Sequence, residues 1–149
     1  MSELVQTKDS ILDELETAMA KLPQVHLEVK HIFTDGLYVR EIYIPAGTIV
    51  TSAIHKTEHP FVISQGEIMV TSDNEGSVVY KAPYTGVTKP NTRRALKALS
   101  DVIWTTFHVT NETDVDKIGE EILAPKDNSH IEEAMNQKFL PEWRKTLPV

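Results

Sequence analysis

The chemistry-bearing residues of this chain cluster in three places. The first is the stretch Ile54 to Glu67, IHKTEHPFVISQGE, where His55 and His59 stand four apart. Pro60 keeps His59 out of helical backbone angles. On an extended chain residues i and i+4 face the same side, so both imidazoles can converge on one point. Imidazole pairs begin a site for iron, zinc, manganese or nickel, although three or four ligands are the norm. They can equally donate hydrogen bonds to an anion, or sit as polar residues bonded to their neighbours. The second place is Gly76 to Ser100, which contains no Asp or Glu but carries Lys81, Lys89, Arg93, Arg94 and Lys97. This local +5 leaves −12 for the rest of a chain whose net charge is −7. Such a zone suits a small anion, and it also suits a lysine-rich edge that discourages strand pairing. The third place is Val102 to Val109, where Trp104, Thr106 and His108 share one strand face, a mixture closer to a pocket lining than to a dry core. Tyr84, in the turn-rich Ala82-Pro83-Tyr84-Thr85-Gly86, is a further aromatic candidate, expected on a loop at a rim.

Composition narrows the function. The 149 residues fit one domain with a good core. There is no cysteine, which excludes disulfides, thiolate metal sites and a cysteine nucleophile. No G-x-S-x-G, Walker or Rossmann glycine pattern occurs. The acidic balance argues against duplex nucleic acid, and no apolar run is long enough to cross a membrane. Nor does Met1 to Ser10 read as a signal peptide. A cytoplasmic protein is expected.

The elements that must position these groups read as follows. Residues 9 to 22 form a helix capped by Asp9 or Ser10, with Ile11, Leu12, Leu15, Ala18, Met19 and Leu22 on its apolar face, closed by Pro23. Short strands follow, around Val25 to Val29, Leu37 to Ile44, Ile49-Val50, Phe61 to Ser64, Glu67 to Thr71, Ser77 to Lys81, Ala95 to Leu99 and Val102 to Val109. Asp35-Gly36, Gln65-Gly66 and Asp73-Asn74-Glu75-Gly76 mark turns between them. Many short strands with regular turns mean a sandwich or barrel. Thr113 or Asp114 caps a helix to about Leu123. Ser129 opens another to about Leu140, with Trp143 packing the tail.

Gly47 to Glu67 resembles the first motif of the cupin superfamily, a histidine cluster, an acidic ligand and a closing glycine, here Gly66. Lys89 to Leu96 (KPNTRRAL) resembles the second, a Pro-x-Gly turn leading to a histidine. The resemblance implies a mainly β, single-domain cupin, a jelly-roll-like β-barrel over residues 25–110 with an N-terminal helix (1–24) and a C-terminal helical tail (111–149). The departures are as informative. His55 takes the place of the second motif histidine, Ala53 that of the first, and His59 that of the glutamate. In the second motif Thr92 replaces the glycine and Ala95 the histidine. Arg93 shares a strand face with Ala95, so the resemblance implies that Arg93 points into the pocket and Arg94 outward.

H-x3-H-P, Y-T-G-x-T-K-P-x-T-R-R and W-T-T-F-H are similar to small cupins encoded by bacteriophages. The expectation is a non-catalytic receptor for a small anionic ligand, phosphorylated or a nucleotide, up to a sponge that sequesters cyclic nucleotide immune signals. His55, His59, Tyr84, Lys89, Arg93, Arg94, Trp104 and His108 would bind that ligand. No resident cofactor is expected, although His55 and His59 can hold a divalent transition metal. With His108 they would give the alternative, a metal-dependent dioxygenase or sugar isomerase. A structural or assembly role is a third reading, and the resemblance implies a homo-oligomer, a dimer or higher.

Overall fold

The computed structural model describes residues 8–72, 76–124 and 130–131. Helix α1 (Lys8–Ala20) leads into nine strands: β1 (Glu28–Thr34), β2 (Leu37–Ile44), β3 (Ile49–Thr51), β4 (His59–Gln65), β5 (Glu67–Ser72), β6 (Gly76–Lys81), β7 (Tyr84–Thr88), β8 (Arg94–Ala98) and β9 (Val102–Val109). Helix α2 (Val115–Ile122) follows. One sheet has the order β1-β2-β9-β4-β7 and the other β3-β8-β5-β6. Every pairing is antiparallel. Strands β2 to β9 therefore pass back and forth between two four-stranded layers in jelly-roll order, β5 and β6 forming a hairpin within one layer, with β1 added at one edge. No strand pairing joins the two sheets among the described residues, so the layers form a sandwich rather than a closed barrel.

The core comes from period-two alternation. Ile42 and Ile44 on β2, Phe61 and Ile63 on β4, Ile68 and Val70 on β5, Leu96 and Ala98 on β8, and Val102 and Trp104 on β9 meet between the sheets. The turn between β4 and β5 needs Gly66. Its φ is +90°, and a β-carbon there would run into the carbonyl of Asp101.

Several expectations need correction. β1 begins at Glu28, so Val25 and Leu27 precede it. Tyr84 lies on β7, not in a rim loop: Tyr84 to Thr88 pairs with Ile63 to His59. Asp9 and Ser10 lie inside α1 and do not cap it. The buried face of α1 is also rotated. Leu12, Glu16, Met19 and Ala20 are buried, while Ile11 is 58% and Leu22 59% exposed. The cause is an ion cluster under the helix. Arg93, only 2% exposed, holds Asp13 through Nη1 at 2.9 Å and Glu16 through Nη2 at 2.5 Å. Thr51 donates to Glu16 at 2.5 Å, and His130 Nε2 lies 2.8 Å from the same carboxylate. Glu16 must face inward to meet Arg93, which turns the helix away from its most apolar stripe.

Asp114 caps α2 as expected, accepting from the backbone N–H groups of Asp116 and Lys117. The second tail helix (129–140) and Trp143 lie outside the described residues except for His130 and Ile131, as do 73–75 of the expected hairpin turn. No described helix is long and apolar enough to cross a membrane.

The Arg93 cluster sets a stability test. Removing one partner of a buried pair strands the other charge, at a cost of about 3–5 kcal/mol. Arg93→Ala is expected to lose an amount of that order in urea unfolding, and a loss below about 1 kcal/mol would mean the cluster behaves like a surface pair.

Candidate functional site

A cavity of about 270 Å³ lies between the sheets, capped by α2. The β2–β9 register builds one wall in tiers: Ile44 beside Val102, Ile42 beside Trp104, Arg40 beside Thr106, and Tyr38 beside His108. On the facing sheet Val50 pairs with Leu96, and the backbone N–H of Arg94 donates to Ser52 Oγ at 3.0 Å. The polar groups thus form a belt above an apolar floor. The side of the cavity toward α2 is apolar again, with Val115, Ile118, Ile122 and Leu123.

Three imidazoles meet in the belt. The His55 ring centre is 4.5 Å from that of His59 and 5.3 Å from that of His108, and His59 and His108 are 4.6 Å apart. Ligand nitrogens of all three lie within 4.8 Å of one another. His59 reaches the site because β4 starts there, as Pro60 dictates. His55 does not lie on the same continuous strand, since the chain bends at Lys56 and Thr57. It is pinned instead by backbone bonds. Lys56 N–H donates to the Ile122 carbonyl and Ala124 N–H to the Ile54 carbonyl, each at 2.7 Å, and Asn91 N–H donates to the His55 carbonyl at 2.8 Å. The end of α2 is therefore strapped to the His55 segment.

All three imidazoles are neutral at pH 7. Burial pushes His55 down to about 4, helped by the His59 ring and, more weakly, by Arg40 and Arg94. Burial pushes His108 to about 3, aided by His59, His55 and Arg40. His59 is also lowered, by burial and then by Arg94. His59 Nδ1–H donates to the Thr57 carbonyl at 3.3 Å, which leaves Nε2 with a lone pair. His108 Nε2 lies 2.9 Å from Thr106 Oγ1, while its Nδ1 is buried without a hydrogen-bond partner.

Two guanidiniums enter the same cavity, those of Arg40 and Arg94. Arg94 donates to Thr88 Oγ1, and its guanidinium carbon sits 5.3 Å from the Phe61 ring centre and 5.9 Å from that of Trp104. Burial lowers the pKa of Arg40, yet an arginine stays charged. No carboxylate pairs with Arg40 among the described residues, and none of the described lining residues is Asp or Glu.

Of the candidates from sequence, His55, His59, Arg94, Trp104 and His108 line the cavity, and Tyr84, Lys89 and Arg93 do not. The arginines are exchanged relative to expectation: Arg94 faces in and Arg93 faces α1. On β8 the buried positions are Arg94, Leu96 and Ala98, and Lys97 is exposed. Anchoring the alternation on Lys97, which cannot face an apolar interior, gives the correct face. Lys89 is a surface residue paired with Glu58 at 3.1 Å. Tyr84 stacks with Tyr80 at 4.4 Å and lies 6.0 Å from Phe61, itself packed on Trp104 at 4.5 Å. Arg40 and Tyr38 escaped sequence reading. Their alternation with Ile42 and Ile44 on β2 was the signal available for them.

No protein-family model matches the sequence, and no curated protein matches it. Solved structures do resemble it. An RmlC-like cupin family protein with a double-stranded β-helix from Methanocaldococcus jannaschii aligns with a TM-score of 0.50 at 13% identity, over 58% of this chain and 82% of that one. A cupin superfamily protein from Desulfitobacterium hafniense aligns with a TM-score of 0.50 at 11% identity, over 62% and 85%. The cupin domain of a Schizosaccharomyces pombe protein aligns with a TM-score of 0.50 at 18% identity, over 72% and 74%.

The fold is that of a cupin. At these identities the likeness speaks for architecture alone. The left-handed residue of the turn before β8 is Asn91, with φ +63°, one residue before Thr92. Arg94, rather than Arg93, then faces the cavity.

The depressed imidazoles give a pH test. Between about 6.5 and 4 the unfolded chain takes up protons on His55 and His108 while the folded chain holds both largely neutral. Their contribution is therefore full above 6.5 and is lost as pH falls toward 4, levelling only below the folded values. For His55 alone the depression corresponds to on the order of 3 kcal/mol. Imidazole NMR titration should show His55 and His108 unprotonated at pH 5.5; midpoints near 6.5 for both would show that the belt is hydrated.

Proposed function

We propose that the cavity is a receptor for a small organic anion. The observation that carries this reading is that Arg40 enters a buried belt of neutral imidazoles and hydroxyls with no carboxylate among the described lining residues. Arg40 is half-buried; a partly desolvated guanidinium without a counter-charge is costly, and a carboxylate or phosphate accepting from its planar fork would relieve that cost. Arg94, Ser52, Thr88, Thr92 and Thr106 offer further donors.

A cyclic nucleotide held by a sponge is the most elaborate form of this reading, and the geometry favours something simpler. The cavity volume of about 270 Å³ lies just below the usual range of roughly 300–1,000 Å³. Trp104 already stacks on Phe61 and lies under Arg94, and Tyr84 is outside the cavity, so neither offers a free face to a base. A compact anion fits better.

Inorganic phosphate and acetate are the simplest probes, read by calorimetry and by the rise in melting temperature with ligand concentration. Arg40→Gln should weaken binding by about 2–3 kcal/mol, or roughly 30- to 150-fold, the scale of a lost charge-assisted bond. Affinity unchanged in Arg40→Gln would refute the receptor reading.

A second reading is favoured by two observations: ligand nitrogens of His55, His59 and His108 lie within 4.8 Å of one another, and His108 Nδ1 is buried without a hydrogen-bond partner. Three neutral imidazoles fit a divalent transition metal, which would supply Lewis acidity at the belt. The chain's own contribution would be to orient the rings, through the Thr57 bond to His59 and the straps on His55, and to exclude water beneath α2. Cobalt or zinc titrated into the apo protein should bind with unit stoichiometry and fail to bind His108→Ala. Equal binding by the wild type and that variant would remove this reading.

A further inference from the structure

The polarity of the cavity is layered, and the layers say more about the ligand than its charge. Below the belt lie Ile42, Ile44, Val50 and Leu96. On the side toward α2, Ile118 and Ile122 pack with Tyr38 into a separate apolar cluster joined by Leu123. The anion-binding groups are therefore held between hydrocarbon surfaces, with no second polar tier to satisfy hydroxyls along a ligand's body.

One residue marks where that body would lie. Gly119 sits within the eight-residue α2 and lines the cavity. Glycine inside a helix costs roughly 1 kcal/mol relative to alanine, and packing gives no reason for it here. A β-carbon at Gly119 would meet only Leu123 Cδ1, at 3.9 Å. The glycine thus leaves open space between Ile118 and Ile122, on the wall facing the belt. An apolar cavity of roughly 150 Å³ takes up benzene, so about 270 Å³ has room for an oxyanion head and a hydrocarbon body of comparable size.

We infer that the ligand is an amphipathic organic anion, with a carboxylate or phosphate head among Arg40, Arg94 and the imidazoles and an unfunctionalised hydrocarbon body against Gly119 and the apolar row of α2. This rests on the receptor reading above and narrows it to a class that excludes polyhydroxylated phosphates.

Calorimetry with five probes tests it: acetate, hexanoate, inorganic phosphate, hexyl phosphate and glycerol phosphate. Each methylene that leaves water strengthens binding about fourfold, so hexanoate should exceed acetate, and hexyl phosphate exceed inorganic phosphate, by roughly tenfold or more. Comparing hexanoate with hexyl phosphate identifies the preferred head. Gly119→Leu should abolish the chain-length gain, so that hexanoate binds no tighter than acetate and hexyl phosphate no tighter than inorganic phosphate; Gly119→Ala, a milder change that also favours the helix, should reduce the gain in part. Glycerol phosphate binding as tightly as hexyl phosphate, or no chain-length dependence, would overturn the amphipathic assignment and leave the anion receptor standing. Failure of all five probes to bind would remove the receptor reading and this inference with it.

Discussion

A buried positive charge has few ways to exist inside a protein, and this chain uses two of them side by side. Arg93 and Arg94 are neighbours in sequence and point to opposite faces of one sheet. Arg93 is satisfied within the chain by Asp13 and Glu16, and that satisfaction fastens α1 to the outer face of β3 and β8. Arg94 points inward, against Thr88 and the Phe61 and Trp104 rings, into a cavity that Arg40 enters from the opposite sheet. The structural cluster draws carboxylates to itself; the described lining of the cavity has none. This division of charge between the two faces of β8 shapes both the docking of the helix and the character of the interior.

The remaining architecture shields that belt on two sides. Ile44, Ile63, Ile68 and Val102 close the floor, while the straps from residues 54–56 to residues 122–124 hold α2 over the other side. Burial then sets the protonation of the imidazoles. Neutral rings hold lone pairs, which makes the same three side chains competent either to bond an anion through N–H groups or to ligate a metal. Both uses require the ring orientation that the backbone bonds to His55 and His59 provide.

Much of this was legible before any coordinates. The bounds of β2 and β9, the cap of α2 and the shared face of Trp104, Thr106 and His108 follow from alternation and capping chemistry. The cupin-like fold follows from the motif resemblance. The parts that were not legible have physical causes. Counting from Thr92 turns Arg93 inward, whereas the left-handed turn residue is Asn91; a one-residue slip inverts every side chain on a strand. Glu16 reads as a solvent residue until Arg93 is known to lie beneath it, so apolar periodicity alone does not find the buried stripe of α1. Pro83 and Gly86 mask a five-residue strand at Tyr84. Alternation puts Arg40 on the face of Ile42 and Ile44, but an arginine in a strand reads as a surface residue until the cavity that receives it is seen. The convergence of His108 with the other histidines likewise depends on tertiary register.

The charge that Arg40 brings into a cavity with no carboxylate among its described lining residues is the proposed handle for a small anion. Native mass spectrometry of protein taken directly from cells, before dialysis, tests it most directly. A discrete adduct of an organic anion is expected, one per chain, that dissociates when the ions are activated and does not appear when Arg40 and Arg94 are both replaced by Gln. A chain that flies bare under the gentlest conditions, or an adduct retained in full by the doubly substituted chain, would contradict it.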